Sequence, residues 1–311
     1  MKKVLLDFDI GTEIDDAIAL AYLLANPECE LVGITTSCGE AQKRCEMASM
    51  LCKMAGKDVP IHSGCENPLL IPQMETTAPQ ARALGEWPHD TDYPPNTAVP
   101  FMQKVIRDNP GEVYLVATAP MTNLGVLFAM DPEIPSLLAG LYLLCGSPTH
   151  HRHDTVTETL SAMERDDFIR VLASQGILEN NSIIDPHATH LVYRARTPDF
   201  KNFGNNVSSR VVMTPKQAEE KFTHPIMQVV MSIAREWFKD EPRVSFHDAV
   251  TTVCLFNDDV CTYKRGYMDC ILDSELLGGM TIFREDPNGP HQVAWDIDEE
   301  KFFEHLFEVF N

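Results

Sequence analysis

Residues 2–26 read KKVLLDFDIGTEIDDAIALAYLLAN, and the fold turns on how this stretch divides. The run KKVLLDF (2–8) is β-rich and too short for a stable helix, so it reads as a buried strand. Asp7 and Asp9 lie at its carboxyl end, two residues apart and therefore on one side of the strand. Gly11 and Thr12 make a turn, and Asp15 and Asp16 open the helix DDAIALAYLLAN (15–26), where acidic residues complement the helix dipole. A strand, a turn and a helix in this order begin a βαβ unit. In open α/β sheets ligands sit outside the carboxyl ends of the strands, where this acidic turn lies.

The alternation continues outward from this stretch. ELVGITT (30–36), VPIHSG (59–64), VYLVATA (113–119), LYLLCG (141–146) and NSIID (181–185) read as further strands. Between them EAQKRCEMASMLCKMAG (40–56) and AVPFMQKVIRDN (98–109) read as helices, the Met47, Met50 and Met54 face as core. Residues 72–98 and 147–157 are polar loops, HPIMQVVMSIAREWFKD (224–240) is a long helix, and strands near YMDCILD, MTIFRE and HQVAWDI precede an amphipathic last helix, EKFFEHLFEVF. With no internal repeat and no obvious linker, the pattern predicts a single α/β domain over 1–311 built on an open, mostly parallel, Rossmann-like sheet flanked by helices.

Composition narrows the partners. The chain has 311 residues, 44% of them hydrophobic, enough for a large core, yet no run approaches the roughly 18 apolar residues of a membrane span. The basic, then apolar N-terminus is broken by Asp7 and Asp9, which suits a buried first strand in a cytoplasmic protein better than a signal peptide. A formal net charge of −21 repels phosphate backbones and anionic membranes, so the expected partner is a small molecule and not nucleic acid or membrane. The nine cysteines are scattered, odd in number and lack C-x-x-C spacing, and read as reduced core thiols.

The acids of 7–16 carry the chemistry. Capping would account for Asp15 and one neighbour. It leaves the rest of Asp7, Asp9, Glu13, Asp15 and Asp16 crowded beside an apolar strand, a repulsion that a cation or bound protons must offset. The donors are all oxygens, which favours Ca²⁺ or Mg²⁺ over zinc. Two histidine groups, His150, His151 and His153 in one loop and His187 with His190 in another, read as a solvated or substrate-facing loop and a structural pair.

DFDIGTEIDDAIAL resembles the signature of the nucleoside hydrolase family, in the subgroup with D-x-D-x-G-T-D-x-D-D, Glu13 standing where Asp is common. VYLVATAPMTNLGVLFAMDPEI, VSFHDAVTTVCL, GGMTIF and EMASMLCKMAGKDVPIHSGCENPL resemble later family segments in order, so the likeness spans nearly the whole chain. The resemblance implies calcium-dependent cleavage of an N-glycosidic bond. Asp9 would be the general base, Asp7 would support the site, and Asp9, Asp16, Asp248 and the Thr118 carbonyl would hold Ca²⁺. Asp15, Glu158 and Asp248 would touch the substrate, and His247 would assist the leaving base. Homodimers or homotetramers are expected on the same ground.

One family pattern is E-[FW]-N followed by an Asp four residues after the Asn. It is placed here at Glu158, Leu160 and Glu164, which leaves Leu where the sugar-binding Asn belongs and predicts poor turnover of ordinary inosine or uridine. The family's G-N after the second strand is also absent from SCGE (37–40). Two other readings stay open. One is a haloacid dehalogenase-type phosphatase, from the likeness of DFDIGT to D-x-D-G-T with the first Asp as nucleophile. The other is a calcium-dependent sugar-binding relative with weakened turnover.

Overall fold

The computed structural model describes residues 1–85, 87–148, 178–239, 241–274 and 276–311. The first strand forms as β1 (Lys2–Phe8), buried from Val4 onward. The strands that follow are β2 (Cys29–Thr36), β3 (Ile61–Ser63), β4 (Val113–Ala117), β5 (Gly140–Leu144), β6 (Phe200–Phe203), β7 (Val212–Met213), β8 (Val244–Ser245), β9 (Cys261–Cys270), β10 (Thr281–Glu285) and β11 (His291–Ile297). The helices are α1 (Asp15–Ala25), α2 (Ala41–Met54), α3 (Ala98–Asp108), α4 (Thr122–Met130), α5 (Ile134–Leu137), α6 (Asn180–Ile184), α7 (Pro186–Arg194), α8 (Asn205–Ser208), α9 (Pro215–Lys221), α10 (Pro225–Trp237), α11 (His247–Phe256) and α12 (Glu299–Glu308).

Among the described residues nine strands form one sheet in the order β10-β9-β11-β6-β5-β4-β1-β2-β3. From β3 to β11 every neighbouring pair is parallel; β9 lies antiparallel to both β11 and β10. The predicted α/β, mostly parallel, Rossmann-like architecture is therefore present. The chain runs from β1 outward to β2 and β3, then returns to the other flank of β1 as β4. Between β1 and β4 the strand order reverses, and such a switch point opens a crevice at the carboxyl ends of the strands. Thr118 N donates to Asp7 O at 2.9 Å there, joining the two strand ends.

Alternation along β1 divides the core. Val4, Leu6 and Phe8 pack with α1, α10 and α11 on one face, while Leu5 packs with α3, α4 and α7 on the other. Helix α1 is buried from Asp15 to Leu24, which explains its continuous apolar sequence. It packs against α11, and this contact brings residues 15 and 16 to residue 248.

Two readings need correction. NSIID is helical, because Glu179 precedes it and its carboxylate accepts from the Asn181 and Ser182 backbone N–H groups, fixing the first turn of α6. The strand beside β5 is instead Phe200–Phe203, FKNF, whose four residues are too few to show a period. The nine cysteines are unpaired here and seven of them are buried, which matches their reading as core residues. No described helix is long and apolar enough to cross a membrane.

Candidate active site

The switch-point crevice is a cavity of about 360 Å³ lined by Asp9, Glu13, Asp15, Asp16, Thr118, His247 and Asp248, together with Glu75 and the 178–181 segment. Four elements deliver these groups. Asp9 follows β1, Asp15 and Asp16 occupy the first turn of α1, Thr118 follows β4, and His247 and Asp248 open α11. One carboxylate oxygen from each of Asp15, Asp16 and Asp248 lies within 4.8 Å of the others. Asp15 also accepts from the Asp248 backbone N–H at 3.1 Å, and Asp16 from the Asp9 N–H at 3.3 Å, so the acids tie the two helix starts to the strand end. Asp7 is placed differently. It is fully buried outside the cavity and accepts from Thr35 Oγ1 at 2.6 Å and Asn123 Nδ2 at 2.7 Å, clamping β1 to β2 and α4.

Burial and mutual repulsion disfavour the charged form of these acids, a cost that protons or a cation offset. Burial, then repulsion by Asp15, pushes Asp16 up to about 8. Burial raises Asp15 to about 6, with the Asp248 backbone N–H opposing it. Burial and the Asp16 charge push Asp9 and Asp248 well above the carboxylate range. Burial, then the Asp15 charge, takes Glu13 to about 7. The donors are oxygens, and the buried Thr118 side-chain oxygen has no partner beside them. This donor set fits a hard divalent cation such as Ca²⁺ or Mg²⁺. Among the described residues no candidate metal group contains histidine.

His247 is half-buried at the start of α11 and its Nδ1 lies 2.7 Å from Ser208 Oγ. Burial lowers its pKa, against the pull of Glu13, so the ring is held toward the neutral form. The fully buried Arg44 side chain donates to the Asp9, Ile10 and Gly39 carbonyls and to Thr12 Oγ1, which fixes the turn carrying Asp9.

A sequence model of the inosine-uridine preferring nucleoside hydrolase family matches residues 4–304. The chain belongs to this family. Nucleoside hydrolases cleave N-glycosidic bonds, and this chain is accordingly an N-glycosyl hydrolase. It is 26% identical to the inosine-uridine preferring nucleoside hydrolase of Crithidia fasciculata, over 97% of this chain and 95% of that protein. It is 25% identical to uridine nucleosidase 1 of Arabidopsis thaliana, over 98% of this chain and 92% of the relative. A solved purine-preferring ribonucleoside hydrolase from Gardnerella vaginalis superposes with a TM-score of 0.79 at 20% identity, covering 99% of this chain and 98% of that one. Membership sets aside the phosphatase reading, and so does geometry, since its nucleophile would be Asp7, sealed under Thr35 and Asn123.

This nucleoside hydrolase has a second run with the Glu-x-Asn-x-x-x-Asp spacing, ENNSIID, at Glu179, Asn181 and Asp185. Glu158, Leu160, Glu164, His150, His151 and His153 lie outside the described residues, whereas Glu179 and Asn181 line the cavity. Glu179 accepts from Gly146 N at 2.7 Å, Asn181 N at 2.8 Å and Ser182 N at 3.0 Å. Asn181 Nδ2 donates to the Thr118 and Leu144 carbonyls at 2.8 and 3.1 Å, coupling this segment to the ends of β4 and β5. Asp185 accepts from Thr122 Oγ1 at 2.8 Å and Leu69 N at 2.9 Å. The signal was in the sequence as a repeat of the same spacing 21 residues downstream; reading NSIID as a strand hid it. His190 Nδ1 lies 3.0 Å from Asp269, in keeping with a structural role.

Proposed function

We propose that the chain is a calcium-dependent hydrolase of nucleosides or related N-ribosyl compounds that releases a base and a sugar. The observation that carries this reading is that Asp15, Asp16 and Asp248 bring carboxylate oxygens within 4.8 Å of one another in a cavity that Asp9 also lines. Asp9, Asp16, Asp248 and the Thr118 carbonyl would hold Ca²⁺. The ion supplies a template for a water and two sugar hydroxyls and offsets the charge of the acids.

Asp9 takes a proton from the attacking water as that oxygen bonds to the anomeric carbon. The C–N bond breaks with its electron pair going to the base. Asp15 and Asp248 accept hydrogen bonds from the sugar hydroxyls. When Ser208 donates to Nδ1 of His247, Nε2 carries the hydrogen and serves as donor to the departing base. Glu179 and Asn181 take the sugar-binding places first read at Glu158 and Leu160, which removes the reason to expect poor turnover of ordinary ribonucleosides. The products suit purine or pyrimidine salvage in the cytoplasm, and a homodimer or homotetramer follows from family resemblance.

The test is a panel of purine and pyrimidine nucleosides, with release of base and reducing sugar followed before and after chelation. Turnover is expected to vanish on chelation and to return with Ca²⁺. No base release from any nucleoside with Ca²⁺ in excess would overturn the reading. Within the same assay Asn181→Leu is expected to lower kcat/KM for ribonucleosides about 10- to 100-fold, since an unpaired sugar hydroxyl costs roughly 1–3 kcal/mol. Unchanged kcat/KM in Asn181→Leu, with Glu158→Gln impaired instead, would restore the first placement.

A further inference from the structure

Glu75 had no place in the sequence reading, yet its carboxylate lines the catalytic cavity beside Asp9. One oxygen from each of Asp9 and Glu75, and the Cys38 Sγ, lie within 4.8 Å of one another. Asp9 is only 9% exposed, and no described residue donates a hydrogen bond to its carboxylate, which opens on the cavity. It therefore faces a ligand position.

The loop carrying Glu75 is fastened to the floor of the site at several points. Gly39 N donates to Glu75 O at 3.1 Å, Glu40 Oε2 accepts from Ala78 N at 2.8 Å, Arg44 donates to Thr77 O at 3.3 Å, and Gln80 N donates to Gly11 O at 2.9 Å. A Cβ on Gly39 would meet the Thr76 carbonyl carbon at 2.4 Å and Glu75 O at 2.5 Å, so the approach of the loop requires glycine there. Glu40, which stands after Gly39 where the resemblance leads one to expect an Asn, is spent on this loop and does not line the cavity. In its stead the loop presents Glu75, with Cys38 Sγ donating to its Oε2 at 3.4 Å and Arg44 3.9 Å away.

We infer that Glu75 is a second acceptor for the attacking water, which it holds jointly with Asp9. A water donating hydrogen bonds of about 2.8 Å to two acceptors at a near-tetrahedral angle spans about 4.5 Å between them. The two oxygens lie no more than 4.8 Å apart, a bound that admits that span. Both protons of the water are then engaged and its lone pair is free to face the anomeric carbon. As the oxygen bonds to that carbon and the C–N electron pair leaves with the base, one proton passes to Asp9. The other stays on the new hydroxyl, still held by Glu75. This rests on the hydrolase reading of the cavity. A carboxylate that served only as counter-ion to Arg44 would sit closer to it than 3.9 Å, and Arg44 already has the Asp9, Ile10, Gly39 and Thr77 carbonyls and Thr12 Oγ1 as acceptors.

The experiment uses methanol as a competing nucleophile. Methanol has one O–H, so it can serve Asp9 but leaves Glu75 without a donor. In the Ca²⁺-loaded enzyme with a nucleoside it turns over, the ratio of methyl glycoside to free sugar is measured for the native protein, Glu75→Gln and Glu75→Ala. The native enzyme is expected to favour water. Glu75→Ala is expected to raise the methyl glycoside share severalfold and to lower kcat about 10- to 100-fold, the penalty for a misplaced reactant, with KM and Ca²⁺ affinity unchanged. Glu75→Gln, whose amide oxygen still accepts, should fall between. The ratio is independent of how much protein folds, so reduced yield does not obscure it. An unchanged ratio in both variants would overturn the inference, and so would a Ca²⁺ affinity that falls with kcat, which would make Glu75 a metal ligand. Absence of turnover by the native protein would instead overturn the hydrolase reading beneath it.

Discussion

Asp9→Asn is expected to lower kcat roughly 10²- to 10⁴-fold, the usual contribution of a general base, while the chain still folds. The amide has nearly the shape of the carboxylate but cannot accept a proton from water. Its neighbours are insensitive to the change, because Arg44 and the Asp16 carboxylate hold the Asp9 backbone and not its side chain. Removing one buried acid from the repelling group should also raise the melting temperature of the metal-free protein at neutral pH, because the folded chain no longer has to take up a proton there. Steady-state kinetics with calorimetry on the same samples checks both. Native-like turnover in the variant would remove Asp9 as the base.

The second large effect is on stability, and its sign changes with calcium. Asp15 titrates at about 6, Glu13 at about 7 and Asp16 at about 8, with Asp9 and Asp248 also raised, each chiefly by burial. An acid whose pKa in the folded chain exceeds its value near 4 in the unfolded chain binds its proton more tightly when folded. Its stabilisation is fully present below about pH 4 and is withdrawn as pH rises through the folded value. The metal-free protein should therefore lose stability between about pH 4 and pH 8. Calcium binds the ionised carboxylates, so its stabilisation should grow over the same interval, reaching about 4 kcal/mol at a concentration 1,000 times Kd. Unfolding measured at pH 5 and pH 8, with and without Ca²⁺, checks this. Parallel curves with and without the ion would mean that the acids hold no cation.

The architecture was legible because its signals are local. A seven-residue β-rich run, a glycine turn and an acid-led helix define a βαβ start whatever surrounds them, and the alternation that follows implies a parallel sheet. The acids of the first turn were legible for the same reason, whereas Thr118 and the His247–Asp248 pair were named only through the family resemblance of the segments that hold them. Where the signal was short, local reading failed: FKNF is too brief to show a period, and NSIID has strand-like residues whose helical turn depends on the Glu179 carboxylate before it.

What tertiary structure alone decided is which acids share a space. Asp7 and Asp9 are equivalent in sequence, yet Asp7 is sealed beneath Thr35 and Asn123 while Asp9, past the last residue of β1, opens on the cavity. Asp16 meets Asp248 only because α1 packs along α11, and Glu75 reaches Asp9 only because Gly39 leaves room for its loop. Helix, strand and cap depend on neighbours a few residues away, so the chain specifies them residue by residue. The shared field of carboxylates separated by up to 239 positions depends on packing, and burial then sets their affinity for protons and cations.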